Sequence, residues 1–172
     1  MERDKQARKR FADKKWDGME PMVEAYAAEA ILIAKADFHE ELAYDEASLP
    51  KLERILNRLC PAPSPLPAEE GRWLTLLWGS FFGELLRHRH GGMWAMTVYP
   101  GSELSVPTLE MSGAPADAIT TAATGSTALP GSRLYPMMKV HRRLSLGAQE
   151  GIPAFYTMLS ARLAASRKHS DQ

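Results

Sequence analysis

The fold is decided by residues 68–90, which read AEEGRWLTLLWGSFFGELLRHRH and are followed by Gly91 and Gly92. Wound as a helix, this segment carries large apolar side chains on nearly every side, which is typical of a helix buried against several neighbours. Glu69 and Glu70 fall in its first turn, where the helix dipole favours acids. The two glycines end it, because glycine readily takes the left-handed cap conformation. The sequence therefore predicts a central, buried helix.

Gly79 and Gly83 lie four residues apart in this helix and so share one face. Two glycines on one face leave a flat strip without side chains. We expect another helix or strand to approach closely there, in preference to a ligand.

The residues before the central helix form an N-terminal helical half. Apolar side chains at three- and four-residue spacing predict a helix over 19–36 and another from Asp45 or Ser48 to about Leu59. The connector between them, 37–45, has as its inward anchors Phe38, Leu42 and Tyr44. A second connector holds four prolines in seven residues (61–67), so it is predicted to be stiff and extended.

A small sheet is predicted after the central helix. Residues 93–99 and 103–111 form an antiparallel hairpin that turns at Pro100 and Gly101. One face of the first strand carries Trp94, Met96 and Val98. Pro107 makes the second strand an edge strand or a broken one, because proline cannot donate to the ladder.

The segment that follows, 112–132, is rich in small residues and is unusually long for a loop in a compact domain. It is predicted to be a long mobile loop, and three forms stay open: a mobile lid, a disordered insertion, or a weak third strand near Ile119. Beyond it the pattern predicts a short strand over 133–135, a short helix over 137–146 and a last helix over 152–165. Helices, then a small sheet, then helices indicate an α+β fold in one domain, 1–172.

Charge is balanced overall but uneven along the 172 residues. Residues 1–16 carry seven bases against three acids, whereas 17–70 carry twelve acids against four bases. We interpret 1–16 as a charged arm, either a solvated helix or a frayed and flexible end. A nucleic-acid or membrane arm is disfavoured, because the run is interleaved with acids and no recognition motif accompanies it.

The single cysteine, Cys60, excludes a disulfide within the chain, and its place at the end of an apolar pattern favours a packed thiol. The N-terminus lacks the apolar core of a secretory signal. The longest apolar stretch, 73–86, is too short to span a bilayer. We therefore expect a soluble, cytoplasmic protein.

The candidate chemical residues cluster at the end of the central helix. Glu84 and His88 share a helix face, so they are the candidates for acid–base catalysis, and His88 with His90 are the candidates for a metal site. A Glu set among apolar residues either has a raised pKa suited to catalysis or pairs with a base such as Arg87 or His88. Pairing is the favoured interpretation, and we expect no catalytic residue, metal or cofactor to be required.

A basic cluster follows the sheet: Arg133, Lys139, His141, Arg142 and Arg143. Lys139, Arg142 and Arg143 are predicted to lie on a solvated helix face, with two alternatives for the cluster: contact with phosphate, or pairing with the acids of 37–46. The candidate binding residues are Arg87, His90, Trp94, Arg133, Lys139 and Arg142.

The order of these features resembles a group of small bacterial proteins that carry a domain of unknown function. The resemblance rests on Gly79-x-x-x-Gly83-Glu84-Leu85, a Trp94 strand, Tyr135-Pro136, Arg143-Leu144 and Phe155-Tyr156. It covers about half the chain, residues 72–160, and the long segment 112–132 departs from it. It implies a bacterial, soluble α+β protein and implies no activity.

No nucleotide-binding loop, serine elbow or zinc-protease motif is present in the sequence. We therefore hypothesise a non-catalytic module that binds another protein, for example an immunity or accessory protein. Its acidic N-terminal half would present a charged face to a basic partner. A homo-oligomer is also open. The alternative is a small enzyme or ligand-binding protein that uses Glu84, His88 and the basic cluster in a pocket under 112–132.

Overall fold

The computed structural model describes residues 1–111 and 132–170, which have the expected α+β fold. Within them the α-helices are Glu2–Ala12 (α1), Met19–Ile33 (α2), Leu49–Leu59 (α3), Ala68–His90 (α4), Pro136–Leu146 (α5) and Ile152–Ser170 (α6). The strands are Met93–Val98 (β1), Ser105–Met111 (β2) and Ser132–Leu134 (β3). Short 3-10 turns cover Glu46–Ser48 and Ala148–Glu150, and a π-helical turn covers Ala34–Phe38. The predicted loop over 112–132, with its alternative strand near Ile119, lies outside the described residues except for Ser132.

Helix α4 is the centre of the core, as its sequence predicts. It packs along α2 on one side and α5 on the other, and its buried side chains join one core cluster with residues from every helix. It ends at Gly91 and Gly92, whose φ angles of 79° and 111° favour glycine. Both connectors take part: in the first, Phe38 and Leu42 are buried and Tyr44 packs against the core, and in the second, Leu66 packs against it.

The glycine strip on α4 is a site of close approach, as expected. A Cβ at Gly79 would lie 2.7 Å from the Cα of Met137 on α5. A Cβ at Gly83 would lie 2.6 Å from Cζ2 of Trp94 on β1. Both distances are shorter than real Cβ contacts allow, so the strip lets α5 and β1 reach the α4 backbone.

The sheet has the order β1-β2-β3 and is antiparallel throughout, which confirms the hairpin. The prediction that β2 is an edge or broken strand is wrong, because β2 is unbroken and lies in the middle. Pro107 is tolerated there because β3 is short and pairs only with Leu109–Met111. Along β1, Trp94 is buried, whereas Met96 and Val98 are more than half exposed (53% and 56%).

Two helix ends differ from the prediction. The α-helix expected over 19–36 changes at Ala34 into a π-helical turn, which stops at His39 with a φ of 61°. The last helix runs to Ser170 in place of 165. The added residues are polar but include Arg167 and Lys168, which are good helix formers, so polarity alone does not end the helix.

The charged arm contains a helix, α1, docked onto the rest of the fold. The Asp37 carboxylate accepts the backbone N–H groups of Arg3 and Asp4 at the start of α1. Asp4 in turn accepts the indole N–H of Trp73 on α4 across 2.8 Å. An acid at a helix N-terminus satisfies otherwise unpaired N–H groups. No helix in the described part of the chain is long and apolar enough to cross a membrane.

Cys60 is a packed thiol, as its position in the sequence predicts. It lies at the end of α3 and is 7% exposed. Burial raises the pKa of this thiol above its usual range, which opposes the thiolate form that a nucleophile requires.

Candidate functional site

Glu84 is buried in the core, where other side chains hold its carboxylate. Its side chain is 3% exposed and accepts hydrogen bonds from the Arg87 guanidinium at 2.9 and 2.8 Å. The indole N–H of Trp94 donates to the same carboxylate at 2.7 Å. Arg87 is also bound by Glu20 and Glu24 of α2. The carboxylate is therefore occupied by partners from α4 and β1, so the structure favours the expected pairing with Arg87 over a catalytic role.

The two candidate metal-binding histidines point to different neighbours. His88 stacks on Tyr44 with ring centroids 4.5 Å apart, and its Nε2 is 3.8 Å from Glu84. His90 lies beside Tyr156 and Ser160 of α6. Across the residues that the structure describes, no group of three His, Cys, Asp or Glu side chains is placed to hold a metal ion.

The pKa of Tyr44 is shifted by its burial and by the carboxylates near it. Burial, together with the negative charges of Glu84 and Glu24, raises the pKa of Tyr44 to about 12. The ring is therefore neutral at physiological pH and serves as a flat surface for His88. Packing, not proton transfer, is the role that this geometry supports.

The basic cluster is not a single binding surface, because each of its arginines and its lysine is paired with an acid. Arg133 pairs with Glu110 at 3.0 Å. Lys139 and Arg142 share Glu150 at 2.8 and 2.6 Å, and these two bases lower the pKa of Glu150 to about 2, with the Arg142 hydrogen bond contributing most. The alternative pairing with the acids of 37–46 is not found for these bases.

The prediction that Arg143 lies on a solvated helix face is wrong, because its side chain is fully buried. Its guanidinium donates to Glu53 at 2.5 Å and to Asn57 at 2.6 Å, both on α3. The second oxygen of Glu53 accepts the backbone N–H of Ile152 at the start of α6. This side of α5 is therefore covered, and Arg143 with Glu53 ties three helices together.

The acidic N-terminal half is largely neutralised within the protein. Glu29 is buried and pairs with Arg3 and Arg10 of α1, and Glu70 pairs with Arg8. The remaining acids with basic partners are Glu20 and Glu24 with Arg87, Glu40 with Arg54, Glu41 with Lys35, Glu46 with Arg89, and Glu53 with Arg143. Part of the uneven charge along the chain thus reflects internal pairing, and contact of the acidic half with a basic partner stays a prediction.

The structure contains a groove that the sequence did not reveal. Its cavity volume is about 670 Å³. Four segments line it: 63–66 of the proline-rich connector, the first turns of α4 between 68 and 76, residues 104–107 at the start of β2, and residues of α5 between 137 and 145. Most of its described lining is apolar, and three prolines stiffen its walls.

The described lining of the groove has its arginine and its histidine on the two helices, and Ser64 and Ser105 add hydroxyl groups from the connector and β2. Arg72 and Thr75 come from α4, and the Thr75 hydroxyl is 3.5 Å from Nδ1 of His141 on α5. No Asp or Glu is found among the described lining residues. The groove therefore combines an apolar floor with one full positive charge.

The groove continues into an exposed apolar surface on the hairpin, which we call the hairpin tip (Met96, Val98 and Leu104). Leu104 lines the groove and is 54% exposed. Met96 and Val98 lie directly across from Pro107 and Ser105, which also line it. Cross-strand partners share a sheet face, so the apolar surface runs from the groove onto β1.

Sequence reasoning missed this groove because its lining comes from segments far apart in the chain. Of the predicted candidates, only His141 lies in it; Glu84, His88, His90 and the paired bases do not. Two features of the sequence could have pointed to it. One is the run of prolines in the connector. The other is that β1 carries two more apolar side chains, Met96 and Val98, on the face where it buries only Trp94.

Comparison with known proteins adds no assignment: no protein-family model matches the chain, and no curated protein and no solved structure matches it significantly. The resemblance to small bacterial proteins of unknown function stays a prediction.

Proposed function

We propose that this protein is a non-catalytic binding module that takes a segment of a partner protein in the groove between α4, α5, the proline-rich connector and the hairpin. The observation that carries the proposal is the continuity of the groove with the hairpin tip. Exposed apolar surface of this kind is typical of interaction sites, since it is costly to leave in water. A groove with stiff walls also lowers the entropy lost on binding.

The pairing of the candidate catalytic groups supports a binding role over an enzymatic one. Glu84 is enclosed by Arg87 and Trp94, and the ring of His88 stacks on Tyr44. A general acid or base must reach the substrate proton within hydrogen-bond distance. Neither Glu84 nor His88 lines the groove, so neither is placed for such a transfer there.

A second candidate function is the binding of a small amphipathic molecule with an acidic group. It is favoured by the cavity volume of about 670 Å³, within the range of small-molecule sites, and by the convergence of Arg72, Thr75 and His141 on one apolar space. It leaves the exposed side chains of Met96 and Val98 without a role, which is why we prefer a protein partner.

The test is an affinity purification from the lysate of the source organism with three forms of the tagged protein, read by quantitative mass spectrometry. Leu104→Glu places a charge in the groove. Leu32→Glu is the matched control, because Leu32 is 48% exposed on α2 and lies outside the groove. We expect one protein to co-purify in stoichiometric amounts with the native form and Leu32→Glu, and to be lost with Leu104→Glu.

Two results would contradict the proposal. A protein that co-purifies equally with all three forms binds elsewhere on the surface. If no protein co-purifies with any form while a small amphiphile is recovered from the native protein and is missing from Leu104→Glu, the second candidate is correct.

A further inference from the structure

We propose that the groove selects a partner segment in which an acidic residue stands among apolar ones, with its carboxylate set against Arg72. This inference rests on the proposed function and adds a charge rule, which is that the bound segment carries an acidic residue. It reverses the partner expected from the sequence, which was basic.

The first argument is that the charge of Arg72 is uncompensated. Its side chain is exposed at the groove, and no ion pair, hydrogen bond or ring contact holds it within the described part of the chain. The other arginines with described side chains do have partners. Those with carboxylate partners are Arg3, Arg8, Arg10, Arg54, Arg87, Arg89, Arg133, Arg142 and Arg143. Arg58 donates to the carbonyl of Phe38 and lies over its ring, and Arg162 has a contact as well.

Among the arginines with described side chains, Arg72 is therefore the exception, and it lies at the groove. A guanidinium presents planar donors that match a carboxylate in two-point contact. With no acid among the described lining residues, an acidic occupant meets attraction and a basic one repulsion.

The second argument is the position of the charge relative to the apolar floor. Arg72, Thr75 and Leu76 stand at three- and four-residue spacing on α4, so they share one face of that helix. Met137 and Met138 of α5 and Leu104 of the hairpin line the same cavity. When a carboxylate of the partner segment binds Arg72, the neighbouring side chains of that segment therefore lie against the methionines and leucines of the groove.

The third argument commits the occupant to a polypeptide. The apolar surface does not end at the cavity but continues over Met96 and Val98. A short amphiphile is buried within one cavity, whereas an extended segment covers both the cavity and the strand beside it. Charge complementarity at Arg72 then fixes the register of the bound segment.

The test uses a bead-displayed library of short peptides built from Leu, Met, Phe, Ala, Gly and Ser, with one position fixed as Glu, Gln or Lys. Labelled native protein is compared with Arg72→Glu and with Lys15→Glu, the latter an exposed base outside the groove. Melting curves confirm that all forms are folded. We expect the native protein and Lys15→Glu to prefer Glu peptides over Gln peptides by about threefold to tenfold, and Arg72→Glu to prefer Lys peptides.

The outcomes separate this inference from the function on which it rests. If peptides bind, Leu104→Glu abolishes the binding and Glu, Gln and Lys are taken equally, the charge rule is overturned and the binding function stands. If no peptide binds, or if Leu104→Glu has no effect, the proposed function itself fails. Dodecanoate is the non-peptide probe: dodecanoate binding that Arg72→Glu abolishes, with no peptide enriched, assigns the groove to a small amphiphile and overturns both.

Discussion

The indole N–H of Trp94 donates to Oε1 of Glu84 across 2.7 Å, which joins the first strand of the sheet to the central helix. The same carboxylate holds Arg87, which reaches on to two acids of α2. One buried anion thus links β1, α4 and α2. We therefore expect removal of this carboxylate to lower the stability of the fold.

Replacing Glu84 with Gln removes the buried negative charge and sets an amide N–H₂ among the donors of Arg87 and Trp94. We expect a loss of about 2–3 kcal/mol in the free energy of unfolding, measured by urea denaturation. Glu69→Gln is the control, because Glu69 lies exposed in the first turn of the same helix and should change stability by less than about 0.5 kcal/mol. A melt of Glu84→Gln that matches the native one would refute the structural role.

Replacing Gly83 with Ala places a methyl group against the ring of Trp94. The ring has little room to move, because Pro136 lies on the same site. We expect a loss of about 1–3 kcal/mol with a shift in tryptophan fluorescence. At Gly71 on the same helix, an added Cβ would lie 3.5 Å from Leu66, an ordinary contact. Gly71→Ala should therefore stabilise the protein by up to about 1 kcal/mol, and equal losses for both variants would contradict the close approach.

Replacing Arg143 with Met leaves the carboxylate of Glu53 without its charged partner. We expect a loss of about 3 kcal/mol in the free energy of unfolding, because Arg143 is fully buried and the Glu53 side chain is only 21% exposed. Adding Glu53→Leu to the first variant should cost less than the sum of the single variants, with a coupling of at least about 1 kcal/mol. Strictly additive losses would show that the two side chains do not stabilise each other.

Glu150 gives a pH dependence with a defined sign. Its pKa falls from 4.5 to about 2 in the folded protein, chiefly through the hydrogen bond from Arg142. A lowered folded pKa stabilises the protein fully above pH 4.5, and this stabilisation is lost as the pH falls towards 2. The native protein should exceed Glu150→Gln by on the order of 1 kcal/mol at about pH 7 and by much less near pH 2. A difference that is the same at both pH values would contradict the pairing.

The sequence was sufficient to predict the core. Several local features of residues 68–90 predict a buried helix, from the acids of its first turn to the glycines that end it. The structure has that helix with those bounds. The hairpin and the close approach at Gly79 and Gly83 follow from equally local features. Such features depend on neighbours a few residues away, so a single sequence reveals them.

What the sequence could not predict depends on partners that are distant in the chain. Arg143 looks solvated beside Arg142, but its carboxylate partner, Glu53, is 90 residues away. Pro107 indicates an edge strand, yet the short β3 pairs only with the far end of β2. The groove combines four separated segments, so no local pattern marks Arg72 as a part of it.

The central claim, that the groove binds a partner protein, is tested most directly by site-specific photo-cross-linking in cells of the source organism. Benzoylphenylalanine is placed at Leu104 in the groove or at Leu32 on α2, both exposed leucines. We predict one dominant adduct of a single partner from the groove position and none from α2. No adduct from position 104, or the same adduct from both positions, would contradict the claim.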